Sequence, residues 1–393
     1  MKKSFLLVAA LLLLALTLVA CGGDGETVEV EVTRIVEVPV AGEGGEVVEV
    51  EVTRIVEVPA EGGAAEADEA PVATTGDTLD IVRERGFLNC AANGTLAGFG
   101  FIDEDGNWSC FDWDYCRAIA AAALGNADAV EGRAVTAQER FPVLQSGEAD
   151  VLVRNTTWTL GRDTSLGFDF GPITFYDGQG MMVRVDTGIE TLEDLEGGSV
   201  CVQAGTTTEK NLADVFRQLN INAETIVFPD NPSTSDAYNQ GRCDGLTTDK
   251  SGLVSVRANQ LDVPEDHIIL DATMSKEPLG PLTRHGDNNW NDIVSWVTYC
   301  TIEAEALGIT SANVDEFLGS EDPYVLNVLG VEGDLGQAMG LDNDWCYQVI
   351  KQVGNYGEIY DRNLGPDTRF NVPRGLNSPY TEGGMLYSMP FRG

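Results

Sequence analysis

Three apolar runs in this chain stop in the same way, and that shared ending restricts the fold more than any other feature. Val151-Leu152-Val153 gives way to Arg154-Asn155-Thr156-Thr157, with Arg162 five residues further on. Val200-Cys201-Val202 gives way to Gln203-Ala204-Gly205-Thr206-Thr207-Thr208-Glu209. Cys243-Asp244-Gly245-Leu246-Thr247-Thr248 ends on a lone carboxylate, Asp249. An apolar strand that ends in hydroxyls, amides and guanidinium groups is the pattern of a ligand site at the carboxyl edge of an α/β sheet. An ordinary Thr-rich turn would explain one such ending alone. The three together supply a cation, a set of donors and an anion, which is the complement of a zwitterion.

The segments between these runs alternate in type. Leu79–Gly86 reads as a short helix closed by Gly, and Phe87–Ala91 as a strand breaking at Asn93-Gly94. An Ala-rich helix follows from Asp114 to Ala120, and another from Glu139 to Gly147 feeds the Val151 strand. Strand and helix in alternation, with short connections, predict a mostly parallel sheet covered on both faces. The alternation restarts at Val200 and runs to Ile269; long helical stretches follow at Trp290–Leu307 and Asp344–Arg362. We therefore expect an α/β fold of two lobes, with the chain crossing between them near 178–183 and 274–281. Residues 77–180 form the first part of lobe 1, 181–276 lobe 2, and 277–393 the return to lobe 1 with a helical C-terminal extension. At 393 residues the chain is long enough for two cores.

Composition removes several function classes. The formal charge is −39, a field that no basic patch could outweigh, so nucleic acid is not a partner. The acidity is not confined to a tail: residues 22–76 carry −12 and residues 77–393 carry −29. His267 and His285 stand outside any metal-ligand spacing and read as surface residues. CxxC, HExxH, GxSxG and GxxxxGK[ST] do not occur, so neither a metal nor a cofactor is expected. Asp103, Asp105, Asn107 and Asp114 fall on ligand positions of a calcium hand, but Trp108 stands where that loop needs Gly. Asp105-Gly106 reads instead as a hairpin turn.

The first twenty residues have the form of a signal peptide: Lys2, Lys3, then an apolar stretch from Phe5 to Ala20. Leu18-Val19-Ala20-Cys21 resembles the lipobox of bacterial lipoproteins, which implies cleavage before Cys21, lipidation of its sulfur and a membrane anchor through the lipid. The mature chain would then sit on the extracytoplasmic face of the membrane. From 21 to 76 the chain reads as an acidic linker without aromatic residues, in which Val28–Pro39 recurs unchanged as Val48–Pro59. Alternating Val and Glu suggests extended chain, and two copies are too few for a solenoid. A spacer is the reading preferred over an adhesion motif.

Several motifs together resemble one family, the solute-binding proteins of ABC amino-acid importers, and within it the general L-amino-acid-binding branch. They are Arg154-Asn155-Thr156-Thr157-Trp158-Thr159, Gln203-Ala204-Gly205-Thr206-Thr207-Thr208-Glu209, Thr247-Thr248-Asp249-Lys250-Ser251-Gly252 and Val353-Gly354-Asn355-Tyr356-Gly357-Glu358. The resemblance covers Thr78 to the end. It implies a two-lobed periplasmic-binding-protein-like fold of type II, a free L-amino acid as ligand, an ABC permease as partner, and a monomer. It makes Arg162 the holder of the ligand carboxylate, aided by Thr157 and the Gly205-Thr206-Thr207 turn, and Asp249 the holder of its ammonium. Asn93, Leu96 and Phe99 would come from the loop after the first strand, but the aromatic lid usual at Leu96's position is missing.

The residues support these roles on their own terms. Thr206 and Glu209 stand in capping-box spacing, so helix amides near Thr207 can face an anion. Arg162 offers a forked, permanently charged donor, unless it is spent on an ion pair with Asp163. Asp249 offers an anion, unless it caps the helix over Ser251 and Gly252. Arg154 is placed either to reach a ligand side chain or to brace the cleft; Asn155 and Thr156 join it on the same turn.

Cys21 apart, seven Cys remain, and an exported chain can oxidise pairs. The family fold sets Cys201 beside Cys243 on adjacent strands and Cys90 beside Cys116, with Cys300 and Cys346 both in the helical tail; Cys110 is left over. Two other function classes stay open beside solute capture: a carboxylate-based dehydratase on the same fold, and a surface sensor or scaffold.

Overall fold

The structure, a computed structural model, describes residues 27–39, 47–59 and 78–392. The chain forms two units, 1–71 and 72–393. The expected signal segment and the expected lipid anchor at Cys21 lie outside the described residues. In the first unit, Thr27–Pro39 and Val47–Pro59 pair antiparallel over their full length, Thr27 opposite Pro59 and Pro39 opposite Val47. The repeat, expected as a lone extended spacer, is extended but paired with its own copy. Alternating β-branched residues favour strand, and the second copy supplies the ladder partner that the first one lacks.

The second unit holds two five-stranded sheets. The first has the spatial order Val130–Ala134, Leu88–Ala92, Val151–Leu152, Leu282–Arg284, Phe168–Phe170. Its first three strands run parallel, and Leu282–Arg284 is antiparallel to both its neighbours. The second sheet repeats the plan with Glu224–Phe228, Ser199–Gln203, Gly245–Asp249, Gln179–Arg184 and His267–Ile269. Here Gln179–Arg184 is the antiparallel insertion. The chain passes between the sheets at Phe175–Asp177 and returns at Glu277–Leu279, and these two segments pair antiparallel with each other. The first crossing thus precedes the expected 178–183, because those residues already belong to the second sheet.

Burial follows from the sequence pattern. Met181 and Val183 enter one core cluster with Val200, Val202, Leu212 and Phe216, whereas Met182 between them enters another with Cys201, Tyr238 and Leu253. Both faces of the second sheet are covered, which is why its strands read as continuous apolar runs rather than alternating ones. The first sheet shares a far larger core with the C-terminal helices. Phe99, Phe111, Phe175, Tyr356 and Tyr360 meet there, largely edge to face at 5.3–6.3 Å. The Ala-rich helix Phe111–Leu124 buries Ala118 through Ala123, since small side chains let it lie close on the sheet.

All three Cys pairs form: Cys90–Cys116, Cys201–Cys243 and Cys300–Cys346, with Cys110 unpaired among the described residues. Cys243 is not itself in a strand; it lies two residues ahead of Gly245, in the turn leading into Gly245–Asp249. The expected single helical stretch Asp344–Arg362 is two helices, Trp345–Gln352 and Tyr356–Asn363. Gly354 at φ +103° breaks it, a conformation an L side chain disfavours, and Asn355 restarts it with a capping box to Glu358. The acidic turn after Ile102 is the expected hairpin: Asp103 accepts from the amides of Asp105 and Asn107. His267, expected on the surface, is buried against the Tyr238 hydroxyl at 2.9 Å, because the Tyr238 ring lies beside it and its strand packs against the Lys250–Asn259 helix.

Candidate ligand-binding site

The parallel strands of both sheets point their carboxyl ends at one narrow cavity of about 30 Å³. Leu88–Ala92 delivers Asn93 and Leu96; Val151–Leu152 delivers Arg154, Asn155 and Thr157. From the other side, Ser199–Gln203 delivers Gln203 and Thr206–Thr208, while Gly245–Asp249 delivers Thr248, Asp249 and Gly252. Residues of both lobes line this space, so the two walls face each other closely across it. Gly205 marks the closeness: at φ +73°, a side chain there would meet Gln138 of the first lobe at 2.8 Å.

Of the residues expected at the ligand, Asn93, Leu96, Arg154, Asn155, Thr157, Thr206, Thr207 and Asp249 line the cavity. Phe99 does not; it is fully buried among Phe111 and Phe175. Thr156 is also turned away, its hydroxyl donating to the Arg154 carbonyl at 2.7 Å. Gly205 contributes through its carbonyl, which accepts from Arg140 Nη2 at 3.3 Å. Arg162 lies just behind the lining, in a π-helical turn over Gly161–Ser165, and its Nη1 donates to the Thr157 carbonyl at 2.8 Å. It is not paired with Asp163, which accepts from Trp158 Nε1 instead.

The hydrogen bonds bear on two alternatives raised by the sequence. Asp249 occupies a helix N-cap position but makes no side-chain cap bond. Ser251 donates its amide and hydroxyl to Asp177, which leaves the Asp249 carboxylate facing the cavity. Arg154 donates Nε to the Val135 carbonyl at 2.8 Å while still lining the cavity, so it both braces the wall and reaches the ligand space. At the Thr206 helix start, the hydroxyl accepts from the Glu209 amide, and Glu209 accepts from Gly205 rather than from Thr206. The helix Thr207–Leu219 therefore keeps the amides of Thr207 and Thr208, on residues that line the cavity, without intrahelical acceptors.

The structure adds residues that were not anticipated: Arg140, Gln203, Thr208, Asn231, Thr248 and Gly252. Arg140 is 3% exposed and its Nε has no hydrogen-bond partner; the same holds for Asn231 Nδ2. A readable signal existed for both. Thr136 and Glu139 bond reciprocally in capping-box fashion just before Arg140. Asp230 caps the helix that Asn231-Pro232 opens. Strands Val130–Ala134, Ser199–Gln203, Glu224–Phe228 and Gly245–Asp249 each feed a helix start at this edge, so each such start was a candidate.

Opposed charges are held here out of water. Burial foremost, then the carboxylates of Asp177 and Glu277, raises the Asp249 carboxyl well above its ordinary value, against Arg162 and Arg140. Burial lowers Arg162 to about 10, opposed by Glu277 and then Asp249. Burial likewise lowers Arg154 to about 10, opposed first by Asp112. Asp112, buried where it accepts the Asn155 amide at 2.8 Å, is raised to about 6. Asn155 adopts φ +26° to make that bond, a conformation Asn tolerates better than most residues. The cleft thus sets guanidinium groups on one wall against a buried carboxyl on the other, and groups of opposite charge between them would be stabilised by both.

The chain is similar to several known proteins. Residues 88–318 match the family described as bacterial extracellular solute-binding proteins, family 3. The general L-amino acid-binding periplasmic protein AapJ of Rhizobium johnstonii is 50% identical over 322 residues, 81% of this chain and 94% of that one. The glutamate/glutamine/aspartate/asparagine-binding protein BztA of Rhodobacter capsulatus is 46% identical over 81% of this chain and 95% of its own length. A periplasmic binding protein from Brucella ovis with glutathione bound superimposes with a TM-score of 0.79 at 48% identity, covering 81% of this chain and all of that one.

Proposed function

We propose, on the premise that this chain belongs to family 3 of the bacterial extracellular solute-binding proteins, that it captures free L-amino acids outside the membrane and hands them to an ABC permease. It is a solute-binding protein, not an enzyme, with the two-lobed fold of periplasmic binding proteins. The observation that carries the ligand assignment is the Asp249 carboxylate: buried, uncapped, and set across a closed cleft from guanidinium groups and a helix start. An α-ammonium on Asp249 and an α-carboxylate towards Arg162, Arg140 and the first-turn amides satisfy both walls at once. Asn93, Leu96, Asn155, Arg154 and Asn231 are left to surround the side chain.

The anchoring through Cys21 and the monomeric state belong to the same reading, as does the division into lobes, with the first boundary moved from 180 to the Phe175–Asp177 crossing. The unpaired donors Arg140 Nε and Asn231 Nδ2 favour ligands with a further acceptor on the side chain, such as a carboxylate or an amide. Glutathione belongs among the trial ligands, since its γ-glutamyl end carries the α-ammonium and α-carboxylate of a free amino acid. The test is a thermal-shift screen of the soluble protein against the twenty L-amino acids and glutathione. Raised melting temperatures for several amino acids are expected; no shift with any of them would defeat the assignment.

A further inference from the structure

The zwitterion site leaves one buried carboxylate without a role. Glu277 lies on the segment by which the chain returns from the second lobe and is 1% exposed. Its carboxylate accepts from Thr157 Oγ1 at 2.5 Å, Thr207 Oγ1 at 2.9 Å, Asn211 Nδ2 at 2.8 Å and the Ser275 hydroxyl. Thr157 comes from the first lobe, and Thr207 and Asn211 from a helix of the second. The backbone fixes the meeting point: Trp158 donates its amide to the Pro278 carbonyl, and Gly280 donates to Thr156.

Both threonine protons go to the same oxygen, Oε2 of Glu277. A hydroxyl has one proton and two lone pairs. With the protons committed, the two Thr oxygens, 3.4 Å apart and both on the cavity lining, offer it lone pairs only. Such oxygens repel a carboxylate and suit a donor.

We propose that Glu277 is a positioning residue that fixes the hydroxyl protons of Thr157 and Thr207, so that their oxygens receive the ligand's α-ammonium beside Asp249. This rests on the amino-acid reading above and alters it in one respect. The two hydroxyls serve the ammonium, and the carboxylate is left to the guanidinium groups and the helix amides.

The test compares L-glutamate with (S)-2-hydroxyglutarate, in which a hydroxyl replaces the ammonium, by calorimetry on the full chain. Glu277→Gln keeps the shape but offers one acceptor oxygen with two lone pairs to four donors, and its amide must itself donate. The variant is expected to narrow the wild-type preference for L-glutamate at least about tenfold, or about 1.4 kcal/mol, through loss of L-glutamate affinity. Adding Asn211→Asp gives the new amide an acceptor and returns the Gln oxygen to the threonines, so the double variant should recover the preference. It also serves as the test should the single variant fail to fold. Equal losses for both ligands would reduce Glu277 to a hinge brace and overturn the proposal, as would an unchanged preference. If the wild type does not bind L-glutamate, the amino acid with the largest melting shift and its 2-hydroxy analogue take its place in the comparison; a wild type that binds none of the twenty would sink the amino-acid reading itself, and this proposal with it.

Discussion

The two walls of the cleft are built by the same strand-to-helix plan and carry opposite chemistry. The first lobe supplies Arg140 and Arg154 to the lining with Arg162 just behind; the second supplies Gln203, a row of hydroxyls, a helix start and Asp249. Their cores differ as well. The first sheet shares its core with the C-terminal helices, while the second is held between two smaller clusters. The guanidinium groups stand on the first wall and the lone carboxylate of the lining, among the described residues, on the second, so a zwitterion meets full charges of both signs only between the two. In the proposed reading, a zwitterion bridging the two walls adds attraction between the lobes and so favours their closed arrangement.

The most direct way to break this comparison is to remove the only carboxylate on the lining. Asp249→Ala should cost about 2–5 kcal/mol in binding, roughly 30-fold to several thousand-fold in affinity, for every amino acid tried. The empty variant should unfold no earlier than the wild type, because the carboxylate it loses is buried without a cap bond. Calorimetry and a melting curve read both halves of this expectation; a variant that bound normally would remove Asp249 from the site.

The opposite wall is sharpened by setting Arg140 against Arg162. Either Ala substitution should weaken binding by about 1.5–3 kcal/mol, as for a hydrogen bond to a charged group. The variants should differ in what they stop reading. The one that no longer distinguishes L-glutamine from its α-amide has lost the carboxylate holder; the other should instead flatten differences among side chains. If both kept full affinity for the acid, the cationic wall would have no part in binding.

Much of this contrast was legible in the chain before folding. Arg154, Thr157, Thr206, Thr207 and Asp249 all follow apolar runs, and a strand's end is written locally in its sequence. Arg140 and Asn231 were not found, because they open helices at the same edge after strands Val130–Ala134 and Glu224–Phe228, whose residues are largely exposed or half-buried. Glu277 was passed over for a different reason. Its partners lie 120, 70 and 66 residues away, and only the crossing of the chain between the lobes brings them together. The break at Gly354 was visible in the sequence, but helical composition on either side concealed it.

A smaller effect separates the empty from the occupied cleft. The Asp249 carboxyl is raised in the empty protein, and an ammonium must meet it ionised. Affinity for L-glutamate should therefore fall as pH drops below that raised value, by at most tenfold per unit, or about 1.4 kcal/mol. Stability of the empty protein should respond in the other sense. Asp112 and Asp177 are raised to about 6 from 3.8. Their contribution is complete below the unfolded value near 4 and is lost as pH rises through about 6. Melting curves from pH 7 to 4.5 should show this rise, reduced in Asp177→Asn, while calorimetry over the same range shows weakening of the ligand.

The smallest effect expected is none, and it tests whether the contrast between the walls is sufficient by itself. Every residue of the lining lies between Asn93 and Gly252, and Glu277 with its partners completes the set inside the second unit. The paired repeats Thr27–Pro39 and Val47–Pro59 belong to the first unit and bond to each other. A chain lacking residues 26–72 should then bind L-glutamate with an unchanged constant and keep the Asp249→Ala loss at full size. A tenfold change in affinity, about 1.4 kcal/mol, would mean that the acidic repeat acts on the cleft after all, and the two walls would no longer account for binding.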